Sequence, residues 1–81
     1  RLHEAATATQ QWVELAPDSA RAWKYRADLL ERLRNLNEAL HAYRRLAELE
    51  PANRAHRTTV VRLLLTTGQN PDEAARLAEG L

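Results

Sequence analysis

Apolar residues along this chain recur every three or four positions, stop at a polar break, and resume. Ala20, Trp23, Ala27 and Leu30 fall on one stripe of a helix, and Ala39, Tyr43, Leu46 and Ala47 do the same further on. A third run holds Val60, Val61, Leu63, Leu64 and Leu65, more apolar surface than one neighbouring helix covers. The breaks carry start and stop signals. Asp18 or Ser19 suits the N-cap of the helix holding Trp23, Asn37 that of the next, and Asn53 that of the one after. Pro17 and Pro51 disfavour helical geometry in the residue before them, so each ends a helix. Gly68 fits the left-handed residue beyond a helix end. Asn70-Pro71-Asp72-Glu73 is a full start signal, with a cap, Pro in the first helical position and Glu three residues after the cap. These signals predict five helices, roughly 3–15, 19–34, 37–49, 53–67 and 71–80.

The stripes also repeat. At a 34-residue offset, Leu2 falls on Leu36, Glu4 on Glu38, Ala5 on Ala39 and Ala8 on Ala42. Glu14 falls on Glu48, Leu15 on Leu49, Pro17 on Pro51, Leu29 on Leu63 and Leu30 on Leu64. These identities sit at apolar and helix-ending positions, where one helix-pair plan laid down twice would put them. Small Ala27 and Ala39 let two backbones approach, and Trp23 and Tyr43 fill the remaining volume.

The stretch 20–53, with Trp23, Ala27, Leu30, Ala39, Tyr43 and Pro51 at their mutual spacing, resembles a tetratricopeptide repeat. Arg26 departs from the Leu of that motif and Leu46-Ala47 inverts the usual order, which predicts looser packing in that turn. Residues 1–19 resemble the second helix of a preceding unit. Residues 54–81 resemble a degenerate or capping unit, with Arg57 in place of Trp and its second helix in register only at an offset of 35, Glu73-Ala74 on Glu38-Ala39. The resemblance implies an all-α solenoid of about two and a half helix-turn-helix units. Such units do not bury their apolar faces alone, so the chain reads as a fragment of a longer array, with self-association through exposed ends as one way to cover them.

Composition narrows the function classes. Ala and Leu dominate, Gly and Pro are scarce, and the reading is all-α. Twelve basic against eleven acidic residues leave a net charge of +1, which gives no electrostatic footprint for nucleic acid. There is no cysteine, hence no disulfide or thiolate metal site. The run near Val60 is interrupted by Arg62 and too short to cross a bilayer, so no membrane insertion is expected. The Ala, Arg and Leu bias resembles proteins of GC-rich bacteria, which makes bacterial cytoplasm or periplasm the expected compartment.

Candidate chemistry is sparse. His3, His41 and His56 lie in different predicted helices without the paired spacing of a zinc site, and are expected as solvated surface residues. Ser19 is the only serine and reads as a cap. Thr58, Thr59, Thr66 and Thr67 lack a base and orienting partner, and two glycines do not make a phosphate loop. No catalytic site, metal or cofactor is expected. The resemblance implies instead that the first helix of each unit lines a concave face. Those positions are Arg21, Lys24, Asp28, Glu31 and Arg32 on one unit, and Ala55, Thr58, Arg62, Leu65 and Thr66 on the next. Trp23, Ala27, Leu30, Ala39, Tyr43, Leu46 and Pro51 are the expected structural core. The implied function is a protein–protein interaction scaffold binding a partner peptide or helix, with a structural spacer or self-association element of a larger envelope or secretion assembly as the alternative. A grip on a C-terminal carboxylate, as in the chaperone-binding members, is weakened because Asp28 beside Lys24 repels a carboxylate.

Overall fold

The computed structural model describes residues 2–79, with side chains described from Glu4 onward. Five helices account for most of it: α1 Leu2–Leu15, α2 Ala20–Arg32, α3 Leu36–Leu49, α4 Arg54–Thr67 and α5 Pro71–Glu79. The chain is all-α, and among the described residues there is no strand. Short turns leave successive helices antiparallel and side by side. Each helix packs on the one before and the one after it in sequence, and α4 further reaches α2 through the Arg62–Glu31 ion pair. The resulting slab measures 36 × 24 × 15 Å. Among the described residues no helix is long and apolar enough to cross a membrane.

The helix ends follow local chemistry. Ser19 Oγ accepts from Ala22 N at 3.2 Å, and Asn53 Oδ1 accepts from Ala55 N at 3.0 Å. Asn70 Oδ1 accepts from Glu73 N at 3.2 Å while its amide donates to the Glu73 carboxylate, so cap and third residue hold each other. Gly68 closes α4 with φ 70. Two expectations need correction. Asn35, not Asn37, stands at the N-cap of α3, without a side-chain cap bond, because α3 begins at Leu36. Asn37 lies within the first turn and its Oδ1 accepts from Gln69 Nε2 instead. Helix α2 also stops at Arg32 rather than at residue 34, because Arg34 takes the left-handed conformation with φ 62.

The 34-residue register reaches the backbone hydrogen bonds. Asn35 N donates to Leu30 O at 2.9 Å, and Gln69 N to Leu64 O at 3.1 Å. Arg34 N bonds Glu31 O as Gly68 N bonds Leu65 O, and Ser19 N bonds Ala16 O as Asn53 N bonds Glu50 O. The ends of α3, Leu36 and Leu49, likewise stand in this register to those of α1, Leu2 and Leu15. One local plan is executed twice.

The core runs through the slab between α2, α3 and α4. It contains Ala22, Trp23, Ala27 and Leu30 from α2, Ala39, Leu40, Ala42, Tyr43 and Leu46 from α3, and Val60, Leu63 and Leu64 from α4. Ala27 and Ala39 are fully buried, so the α2 and α3 backbones come close and every side chain larger than methyl is excluded there. Trp23 spans the end of that contact, and its Nε1 donates to Pro17 O at 2.7 Å, tying the turn before α2 to the core. Pro51, expected in the core, is exposed; it works in the α3–α4 turn by its fixed φ rather than by packing. The apolar run of α4 divides: Val60, Leu63 and Leu64 are buried between α3 and α5, Val61 is half-buried, and Leu65 remains exposed.

Candidate binding face

Helices α2 and α4 stand on either side of α3, and their polar edges meet over Tyr43. The Tyr43 hydroxyl lies 2.9 Å from Asp28 Oδ1 and 3.2 Å from Glu31 Oε1, so its single proton is shared between two carboxylates. Lys24 Nζ sits 3.0 Å from Asp28 Oδ1 and 5.8 Å from the centre of the Tyr43 ring. Arg62 Nη2 reaches from α4 to Glu31 Oε2 at 2.9 Å. Burial, then the hydrogen bond and charge of Asp28, then the charge and hydrogen bond of Glu31, push the Tyr43 phenol well above its ordinary range. The phenol therefore stays a neutral donor, and it joins two acids and two bases into one network.

Four residues assigned to the concave face from sequence, Lys24, Asp28, Glu31 and Arg62, are thus brought together. Arg21, Arg32, Ala55, Thr58, Leu65 and Thr66 are exposed on the same two helices and stand outside that network. Thr66 donates its hydroxyl to Arg62 O within its own helix, and Arg32 borders a shallow cleft with Asp28, Glu31 and Arg34. Each network charge already has an opposite charge beside it, and Lys24, Asp28 and Arg62 are about half exposed. Ion pairs this wet are worth little individually, about 0–1 kcal/mol, and so exchange cheaply for pairs with a visiting ligand.

Two residues, His56 and Arg26, behave differently from their sequence reading. His56, expected in solvent, is buried, and its Nε2 lies 2.6 Å from Glu50 Oε1. The carboxylate arrives from the C-terminal end of α3 across the turn, so the imidazole fastens α3 to α4. The signal was present: His56, Val60, Leu63 and Leu64 follow one helical stripe. Arg26, expected to loosen packing, is largely buried; it donates to Ala6 O and to Glu38 Oε2, both at 3.3 Å, and so links α1, α2 and α3. Arg57, in the position of Trp23, lines a cleft of about 280 Å³ with Arg44, Val60 and Leu77, and its Nε is buried without a partner. His41 is exposed, with its ring edge-on to Trp23 at 6.0 Å. The His3 side chain lies outside the described residues. Among the described residues no group of three or more His, Asp or Glu is placed to hold a metal.

Neither a protein-family model nor a curated protein matches this chain.

Proposed function

We propose that the chain is a tetratricopeptide-type helical-repeat scaffold that binds a partner peptide or helix across the α2–α4 face. In this reading residues 1–19 close one unit, 20–53 form a complete one, and 54–81 form a degenerate or capping one. The observation that carries it is the network of Lys24, Asp28, Glu31 and Arg62 around Tyr43. It presents both signs of charge at half exposure on two helices that occupy equivalent places in the repeat. Exposed Arg21, Arg32, Thr58 and Leu65 extend that surface with polar and apolar contacts. A ligand with alternating charges exchanges partners with the existing pairs, and Tyr43 keeps the rim of the face rigid beneath it. A lone carboxylate suits the face poorly, because Lys24 is held by Asp28 and the acid repels the newcomer.

The test is a triple variant, Lys24→Ala, Asp28→Ala and Arg62→Ala, compared with wild type in a pull-down with mass-spectrometric identification of the partner. Loss of the partner with an unchanged circular dichroism spectrum supports the reading. Retention of the partner defeats it. A second reading, a self-association element, is favoured by a different observation: Trp12, Leu15 and Tyr25 stand exposed together at the α1 side of the molecule.

A further inference from the structure

Arg57 has the place in α4 that Trp23 has in α2. Its guanidinium has no ion pair among the described residues, and its Nε is buried without a hydrogen bond. It lines the cleft of about 280 Å³ between α3, α4 and α5. Arg44 lines the cleft from α3, and Arg44 Nε is also buried without a partner. The register explains why a cleft stands here. Ala47, Arg57 and Val60 occupy the positions of Val13, Trp23 and Arg26, and each is smaller than its counterpart. Those counterparts are buried or nearly so, and Trp23 and Arg26 spend their donors on Pro17 O, Ala6 O and Glu38. The opening therefore follows from side-chain size at three positions. The second pair keeps the frame of an aromatic seat, with Ala47, Val60 and Leu77 as its apolar wall, and lacks the ring. Buried donors without acceptors are rare, because each has given up water for nothing.

Charge narrows the occupant. Glu73 and Glu48 also line the cleft, and both are answered. Glu73 accepts from Arg44 Nη2 at 2.7 Å and from Asn70 Nδ2 at 2.9 Å, and Glu48 accepts from Arg45 Nη1 at 3.1 Å. Arg57 is left as the cation of the cleft that no acid neutralises. We infer that the cleft binds a small aromatic carboxylate, with its ring against Ala47, Val60 and Leu77 and its carboxylate on Arg57. An arginine offers Nε and one Nη as a planar fork, which a carboxylate meets with two parallel bonds. The buried Nε of Arg57 gains in this way the acceptor it lacks. The cleft lies just below the size of drug-sized sites, about 300–1,000 Å³, so the occupant is small. A single negative charge suits it, because the second charge of a dianion would face Glu48 and Glu73. None of these residues belongs to the α2–α4 face, so this site and that one stand or fall separately.

Titration of the isotope-labelled chain with indole-3-acetate, followed by NMR of backbone amides and arginine Nε–H groups, tests it. Saturable shifts are expected at Ala47, Val60, Leu77 and the Arg57 Nε–H, with a dissociation constant of about 1 mM or tighter. Indole-3-acetamide, the same body without the charge, binds at least about tenfold more weakly. Arg57→Gln weakens binding of the acid by a similar factor and leaves that of the amide unchanged. Arg57→Trp fills the seat and abolishes binding with the helical circular dichroism retained, whereas Lys24→Ala/Arg62→Ala binds like wild type. N-acetylglycyltryptophan presents the same chemistry at the end of a peptide. Saturable binding of either acid supports the inference, and the tighter of the two names the source. No saturable shift with either acid up to about 10 mM, equal affinity for acid and amide, or binding undiminished by Arg57→Gln or Arg57→Trp would each overturn the inference.

Discussion

The helix pairs α2–α3 and α4–α5 share a backbone plan and differ in what fills it. In the first, Trp23 closes the end of the contact and bonds Pro17 O, and Tyr43 closes its rim with two carboxylates. In the second, Arg57 stands in the place of Trp23 and leaves Nε buried without a partner, beside a cleft of about 280 Å³. Ala78, in the place of Tyr43 once the inserted residue is counted, is exposed. Helix α5 is short and buries a single residue fully, Ala74. Both turns carry a left-handed residue and equivalent backbone bonds at the end of the first helix, yet only the first pair has a dense interior. Caps and turns set where helices stop; aromatic fill sets how firmly they hold.

Breaking the first pair should have the largest effect. Trp23→Ala removes the aromatic fill and the bond to Pro17, and should cost about 3–5 kcal/mol in chemical denaturation. Ala78→Gly, at an exposed position of the second pair, should cost no more than about 1 kcal/mol. Sharpening works in the opposite direction. Arg57→Trp restores the aromatic where the cleft has room and removes a buried unpaired nitrogen, for a gain of about 1 kcal/mol. That gain corresponds to a melting temperature about 5 °C higher.

The two helix C-termini offer a smaller test of the same register. Arg34 and Gly68 occupy equivalent places in the repeat and both are left-handed, at φ 62 and φ 70. A side chain is strained in that conformation and glycine is not. Arg34→Gly should therefore stabilise by about 1 kcal/mol, and Gly68→Ala should destabilise by a similar amount, although space around Gly68 is open. Equal signs from the two substitutions in a denaturant series would break the equivalence.

The smallest effect is in pH dependence. Folding raises the Tyr43 phenol above its ordinary value of 10.0, so the folded chain holds a proton that the unfolded chain has released. The stabilisation is complete below that value and declines as pH rises past it. Wild type should lose stability on moving from pH 9 to pH 11 more steeply than Tyr43→Phe. The two curves should run parallel below pH 9.

Legibility followed the range of the interaction. Ser19, Asn53, Gly68 and the Asn70–Glu73 box act on backbone within one turn, and their roles could be read from neighbouring residues. The α2 and α3 stripes were legible from periodicity. His56 was misread because its partner, Glu50, comes from the end of the preceding helix, and a bare histidine is polar by default. Arg26 was misread for the same reason, since Ala6 O and Glu38 belong to two other helices. Asn37 and Asn35 are both good caps by type, and the choice between them depended on the left-handed turn at Arg34, which no residue type announces. On the α2–α4 face, Lys24, Asp28, Glu31 and Arg62 stand out in the sequence as charged positions of two successive helices. Their gathering about Tyr43 was not legible, because it requires α2, α3 and α4 side by side.

Residue-resolved native-state hydrogen exchange tests most directly the claim that one helix-pair plan is densely filled in α2–α3 and sparsely in α4–α5. The slowest amides should lie in α2 from Trp23 to Leu30 and in α3 from Ala39 to Leu46, at the free energy of global unfolding, with α5 opening well below it. Protection of α5 equal to that of α3, or exchange in α2–α3 faster than in α4–α5, would contradict it.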